Sequence, residues 1–150
     1  MRILIDADGC PVVDIVVRLA QKHHLECLLL CDTAHVFEKP GAKTLTFSKG
    51  ADSVDFALVN LLTWGDLVVT QDYGLAAMCL TRGARVLHQD GMEYTADNID
   101  ALLLARHTAK KIRSSGGRLK GSPKRTREQD LAFERALQNI LTEQDKRGKA

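Results

Sequence analysis

Apolar residues in this chain fall into two patterns: short runs that end abruptly on aspartate, and longer stretches with helical spacing. The first run, Ile3-Leu4-Ile5, stops at Asp6 and Asp8, and Gly9 and Pro11 then break the chain. Its length and lack of alternation predict a strand buried on both faces, as in a parallel α/β sheet. Pro11 suits a first helical turn, and Val12, Val13, Ile15, Val16, Leu19 and Ala20 give one helical face up to about His23. Glu26 to Cys31 reads as a second strand, His35 to Lys43 as a loop and Thr44 to Phe47 as a short third strand.

The same alternation continues. Val54, Ala57, Leu58, Leu61 and Leu62 form the buried face of a helix over Ala51 to Leu62, and Trp64 is expected to pack at its end. Leu67-Val68-Val69 is a second strand of the opening type, ending in Thr70-Gln71-Asp72. A helix from Tyr73 to Arg82 and a strand at Arg85-Val86-Leu87 follow. Thr95 caps a long helix from Ala96 to about Arg113. Thr126 and Gln129 have capping-box spacing before a last helix over residues 127–144, with Asp145 to Ala150 fraying. The order predicts an α/β fold: a mainly parallel sheet of four or five strands flanked by helices, with a C-terminal helical extension. One domain is expected, with a core to about residue 115, a basic loop at 116–126 and the final helix.

Composition narrows the class. The chain has 150 residues, 45% hydrophobic and 27% charged, enough for one sizeable core. No apolar segment approaches the roughly 20 residues of a membrane span, and Asp6 and Asp8 interrupt any signal-peptide pattern. Cys10, Cys27, Cys31 and Cys79 lack metal-site spacing and read as reduced thiols of a cytoplasmic protein. His23 and His24 suit a helix end, while His35, His88 and His107 have no evident partners for a metal or a catalytic triad.

The net charge of +2 hides an asymmetry. Between Ala101 and Arg127 there is no acidic residue, yet Arg106, Lys110, Lys111, Arg113, Arg118, Lys120, Lys124, Arg125 and Arg127 all occur. The rest of the chain is net acidic. A basic segment on an acidic body points to a polyanionic partner.

In open α/β sheets, ligands bind beyond the carboxyl ends of the strands. Asp6, Asp8 and Asp72 all follow such ends, and Asp52 and Asp55 start a helix. Each has a bland role available, as an N-cap or as an acid favoured by the helix dipole. Together they are harder to accommodate, since two anions about 4 Å apart repel by roughly 4 kcal/mol at an effective dielectric near 20. A bridging cation relieves this, and an all-oxygen donor set favours Mg²⁺ or Mn²⁺.

Four stretches carry a family resemblance: Ile5-Asp6-Ala7-Asp8-Gly9-Cys10-Pro11-Val12, Gly50-Ala51-Asp52-Ser53-Val54-Asp55, Asp66-Leu67-Val68-Val69-Thr70-Gln71-Asp72-Tyr73-Gly74-Leu75-Ala76 and Tyr94-Thr95-Ala96-Asp97-Asn98-Ile99. Together they resemble the YaiI/YqxD family (UPF0178, DUF188), a bacterial group related to PIN-like domains. That resemblance implies a PIN-like fold and a nuclease site of acidic residues binding Mg²⁺ or Mn²⁺. Asp6 would be the acid ending the first strand, Asp52 or Asp55 the helical acid and Asp72 the acid after the later strand. Gly121-Ser122-Pro123 stands where the family shows a Gly-Gly-Pro-like turn.

The leading expectation is therefore a metal-dependent nuclease acting on RNA or single-stranded nucleic acid. Asp6, Asp55 and Asp72 would be catalytic, with Asp8 and Asp52 as further metal ligands and Thr70 orienting Asp72. Arg106, Lys110, Arg113, Arg118, Lys120 and Lys124 would contact phosphates. Their bland alternative is a solvated helix face and an ordinary loop. Two other functions remain open. One is a non-catalytic nucleic-acid-binding protein, although 5% aromatic residues argue against base stacking. The other is a haloacid-dehalogenase-type phosphohydrolase, with Asp6 as nucleophile and Asp8 as general acid. Lys49 and Asp90 fit that pattern poorly.

Overall fold

The computed structural model describes residues 1–32, 38–48, 53–114, 116 and 124–148, without the side chains of residues 106, 108, 109 and 112–114. The strands are β1 (Ile3–Asp6), β2 (Cys27–Asp32), β3 (Lys43–Phe47), β4 (Leu67–Val69), β5 (Arg85–Leu87) and β6 (Glu93–Tyr94). They form one sheet in the order β3-β2-β1-β4-β5-β6, parallel throughout except that β6 runs antiparallel to β5. The helices are α1 (Val13–Lys22), α2 (Ser53–Leu61), α3 (Tyr73–Thr81), α4 (Ile99–Ser114) and α5 (Arg127–Gly148).

The central strands are buried on both faces, as their unbroken apolar runs require. Ile3, Leu4 and Ile5 have no exposed surface, and each contributes about 1.5–3 kcal/mol by leaving water. Their side chains alternate between two cores. Ile3 and Ile5 pack with Leu29, Val69 and Leu87 under α1 and α5. Leu4 packs with Leu28, Leu30, Val68 and Val86 under α2, α3 and the start of α4. The result is a three-layer α/β/α sandwich.

Two departures from the expected elements concern β6 and α5. The two-residue β6 escapes any periodicity reading, so the sheet has six strands rather than four or five. Helix α5 continues through Gly148, where fraying from Asp145 was expected. Its Phe133, Leu137, Ile140 and Leu141 are buried against the α1 face. An Arg18–Glu134 ion pair and an Asp145 Oδ2 to His23 Nδ1 contact of 2.6 Å tie it to α1. Gly91 permits close approach on the other side: at φ +96°, a Cβ there would lie 2.8 Å from the Ala132 carbonyl oxygen.

The anticipated capping box forms, and the anticipated Thr95 cap proves to be reciprocal as well. Thr126 N donates to Gln129 Oε1 at 2.8 Å, and Gln129 N donates to Thr126 Oγ1 at 3.4 Å. Thr95 and Asn98 exchange the same pair of bonds ahead of α4, which begins at Ile99 rather than Ala96. Trp64 is not a packing residue. It is 86% exposed, lying against Gly83.

The strand order places the crevice. The chain moves outward from β1 to β2 to β3, then returns to β4 on the other side of β1. Loops leaving the carboxyl ends of β1 and β4 therefore diverge, which is where open sheets of this kind bind ligands.

Candidate functional site

Asp6 ends β1 at that switch point, and Thr70 immediately follows β4. The Thr70 hydroxyl donates to Asp6 Oδ2 at 2.9 Å and accepts the Asp72 backbone N–H at 3.0 Å. Thr70 is 2% exposed, so this hydroxyl acts as a fixed joint between the two strand ends. The expected role of Thr70 is thus revised. It orients the Asp6 side chain and the Asp72 backbone, whereas the Asp72 carboxylate is held by its own helix. Asp72 is the N-cap of α3, and its Oδ1 accepts from Gly74 N at 2.9 Å and Leu75 N at 3.2 Å.

Asp8 lies one turn beyond Asp6, in a loop that Gly9 allows by adopting φ +70°. Its Oδ2 accepts from Asp32 N at 3.1 Å, linking the ends of β1 and β2. Asp55 stands in the first turn of α2, which packs over the face carrying Leu4. Asp52 lies outside the described residues.

The electrostatics show that the acids share one neighbourhood. The Asp6 carboxyl is pushed up to about 6. Burial is the main cause, the Thr70 hydrogen bond opposes it, and the charges of Asp55, Asp72 and Asp8 add to it. Four of the five expected acids are therefore gathered at one rim.

The donor set is all carboxylate oxygen, which suits Mg²⁺ or Mn²⁺. Asp6 Oδ1 has no hydrogen-bond partner among the described residues, so that oxygen is available to a cation. Three His, Cys, Asp or Glu side chains arranged to hold one ion are not found among the described residues.

The expected phosphate contacts divide. Lys110 is exposed on α4, as is its neighbour Lys111, which was not among those expected, and Lys124 is exposed ahead of α5. The side chains of Arg106 and Arg113, and the whole of Arg118 and Lys120, lie outside the described residues. Arg125, read as part of a flexible basic loop, is a structural anchor. Its Nε meets Asp130 at 2.7 Å, its Nη1 meets Asp90 at 2.6 Å and its Nη2 donates to the Gln89 carbonyl at 2.7 Å.

Sequence reasoning missed several rim residues. Asp32 ends an apolar run as Asp6 does, and that signal was legible. His88 follows β5 in the same way, and its neighbours are a backbone N–H and two aromatic rings rather than the metal or triad partners considered from the sequence. Its Nδ1 accepts the Asp90 N–H at 3.0 Å, and its ring meets Tyr73 and Tyr94 at centroid separations of 6.4 and 5.9 Å. Burial lowers the His88 pKa, with Asp90 opposing and Arg125 adding to the shift. Cys10, near Asp6 and Arg125, has its thiol pushed up to about 11 by burial, which keeps it protonated and unreactive.

Comparison with known proteins gives a consistent kinship. The family model described as "Uncharacterized BCR, YaiI/YqxD family" (DUF188) matches residues 4–143. A UPF0178 protein of Exiguobacterium sibiricum is 52% identical over 143 residues, covering 95% of this chain and 98% of its own. One from Clostridium acetobutylicum is 50% identical, covering 94% and 97%. One from Enterococcus faecalis is 41% identical over 144 residues, covering 94% and 97%. No solved structure matches the chain. Among the described residues, no helix is long and apolar enough to cross a membrane.

Proposed function

This chain belongs to the YaiI/YqxD family, and from that premise and the rim geometry we propose a Mg²⁺- or Mn²⁺-dependent nuclease. Its substrate class is RNA or single-stranded nucleic acid, and its place of action is the cytoplasm. The observation that carries the reading is the convergence of Asp6, Asp8, Asp55 and Asp72 on one end of the central strands, close enough that three of them raise the fourth. The PIN-like resemblance of the sequence supports the same assignment.

Asp6, Asp55 and Asp72 would hold the cation, with Asp8 and Asp52 beside them. When bound, the ion would supply a water of lowered pKa and offset charge on the scissile phosphate. The protein's own part is positional. Thr70 keeps the Asp6 side chain in one orientation, and the α3 N-terminus steadies Asp72. Exposed Lys110, Lys111 and Lys124, with the other cations of that segment, would attract the phosphate backbone.

The test is direct. Full-length protein with end-labelled single-stranded RNA and Mn²⁺ should yield cleavage, and Asp6→Asn or Asp72→Asn should reduce it by at least about a hundredfold, as loss of a metal-centred step would. Cleavage that survives both substitutions removes the assignment. A second reading, nucleic-acid binding without catalysis, is favoured by the Asp72 Oδ1 already serving as a helix cap. It forecasts salt-dependent RNA binding with no cleavage in any divalent metal, at a slope of about −4 to −5 if about five cations neutralise phosphates.

A further inference from the structure

We propose that Tyr73 and His88 form a cleft beside the acidic rim that holds one unpaired nucleobase. The proposal deepens the nuclease reading by naming what is recognised besides phosphate, and it takes from that reading only the neighbouring phosphate position.

The chain contains two tyrosines, and both are here. Tyr73, Tyr94 and His88 surround one another, with the Tyr73 and Tyr94 centroids 5.8 Å apart in an edge-to-face arrangement. Tyr94 is the back wall. It is 1% exposed, and its hydroxyl donates to the Thr70 carbonyl at 3.3 Å. Tyr73 and His88 stand in front and keep part of their surface open at the rim. A low aromatic content argues against base stacking only when the rings are scattered, and these are gathered.

The polar atoms of the two front residues complete the chemistry. His88 Nδ1 accepts the Asp90 N–H, which places the ring proton on Nε2. Asp90 Oδ2 lies 3.7 Å from that Nδ1 and favours a second proton, but burial of the ring, with Arg125 held on Asp90 Oδ1, outweighs it. Neither His88 Nε2 nor the Tyr73 hydroxyl has a hydrogen-bond partner among the described residues. The cleft therefore offers ring surface, a neutral N–H donor and a phenol. A planar heteroaromatic ring with acceptors on its edge satisfies all three, and every nucleobase is one. Tyr73 directly follows Asp72, so a nucleotide with its phosphate at the acids has its base within reach of the cleft. A base in a duplex has its faces stacked and its edge paired, and it does not fit.

The experiment compares ligands that differ by the base alone. The full chain is titrated in Mg²⁺, and again in EDTA, with AMP, UMP and ribose 5-phosphate, following the His88 and Tyr73 ring resonances by NMR. The nucleotides should bind about 5- to 100-fold more tightly than ribose 5-phosphate and shift the His88 ring protons upfield. Tyr73→Ala should abolish that preference while Tyr73→Phe retains it. Should Tyr73→Ala fail to fold, His88→Ala is read in its place. A six-residue single strand should displace AMP where its duplex does not. Equal affinity for AMP and ribose 5-phosphate, a preference that survives Tyr73→Ala, or equal displacement by duplex would each overturn the cleft. A base preference that persists without RNA cleavage in Mn²⁺ would leave the cleft standing and remove the nuclease. Cleavage with no base preference would do the reverse.

Discussion

Asp66 and Asp6 flank neighbouring central strands, at opposite ends of the sheet, and they have opposite fates. Asp66 precedes β4 and is 2% exposed, yet donors surround it. Its Oδ1 accepts from Arg2 N at 3.0 Å, and its Oδ2 accepts from Arg2 Nη2 at 2.8 Å, Thr63 N at 2.9 Å and Thr63 Oγ1 at 3.0 Å. Burial alone would push its pKa up, but those donors more than offset it and the net shift is downward. Among the described residues Asp6 has one donor, the Thr70 hydroxyl, and three acids nearby, and it rises to about 6. Two aspartates at strand ends are thus separated by donor count. Asp66 is finished as a structural anion. Asp6 is under-compensated, and the proposed cation site rests on that difference.

The largest way to break this contrast is Asp66→Asn. It strips the charge partner from Arg2 and turns an amide N–H₂ toward donors, so unfolding in urea should show a loss of about 3 kcal/mol. Because the folded Asp66 pKa is depressed, its contribution is present above the ordinary carboxylate range and is lost as pH falls through the folded value. Asp6 has the opposite sign. Between about pH 4 and 6 the folded protein holds a proton that the unfolded chain has released, so the Asp6 contribution to stability falls as pH rises across that window.

Asp6→Asn should therefore stabilise the metal-free protein at pH 7 by about 1–3 kcal/mol, a gain that vanishes near pH 4. If the proposed cation site is right, Mg²⁺ should raise the Tm of the unsubstituted protein, and Asp6→Asn should abolish that rise. A loss of stability at pH 7 would show that Asp6 is as well compensated as Asp66.

How legible each of these was depends on the range of the interaction. Buried strands, their parallel order and both capping sites follow from local spacing, so Ile3-Leu4-Ile5, Leu67-Val68-Val69 and Thr126 with Gln129 announce themselves. The rim position of Asp6 and Asp72 follows from strand polarity, which is also readable. Thr63, three residues before Asp66, donates to it locally, but its other donors come from Arg2, 64 residues away, and the Asp6 donor from Thr70, also 64 residues away. No spacing rule reaches that far. The same holds for Arg125, whose partner Asp90 is 35 residues distant, and for His88, whose ring neighbours come from α3 and β6. β6 itself has two residues, too few to display a period.

The smallest test probes whether the contrast is maintained from behind the site. Tyr94→Phe keeps the ring and its edge-to-face packing but removes the hydroxyl bonded to the Thr70 carbonyl. At 3.3 Å that bond is long, so the loss in stability should be only about 0.5–1 kcal/mol by urea denaturation. The more telling readout is Asp6. The Thr70 hydroxyl holds the Asp6 carboxyl down against burial and its acidic neighbours, so a Thr70 that moves more freely holds it less well. The midpoint of the Asp6 carboxyl, followed by NMR, should then climb above about 6. An unchanged midpoint would mean that the strand end alone fixes Thr70, and that Tyr94 serves only the aromatic cleft.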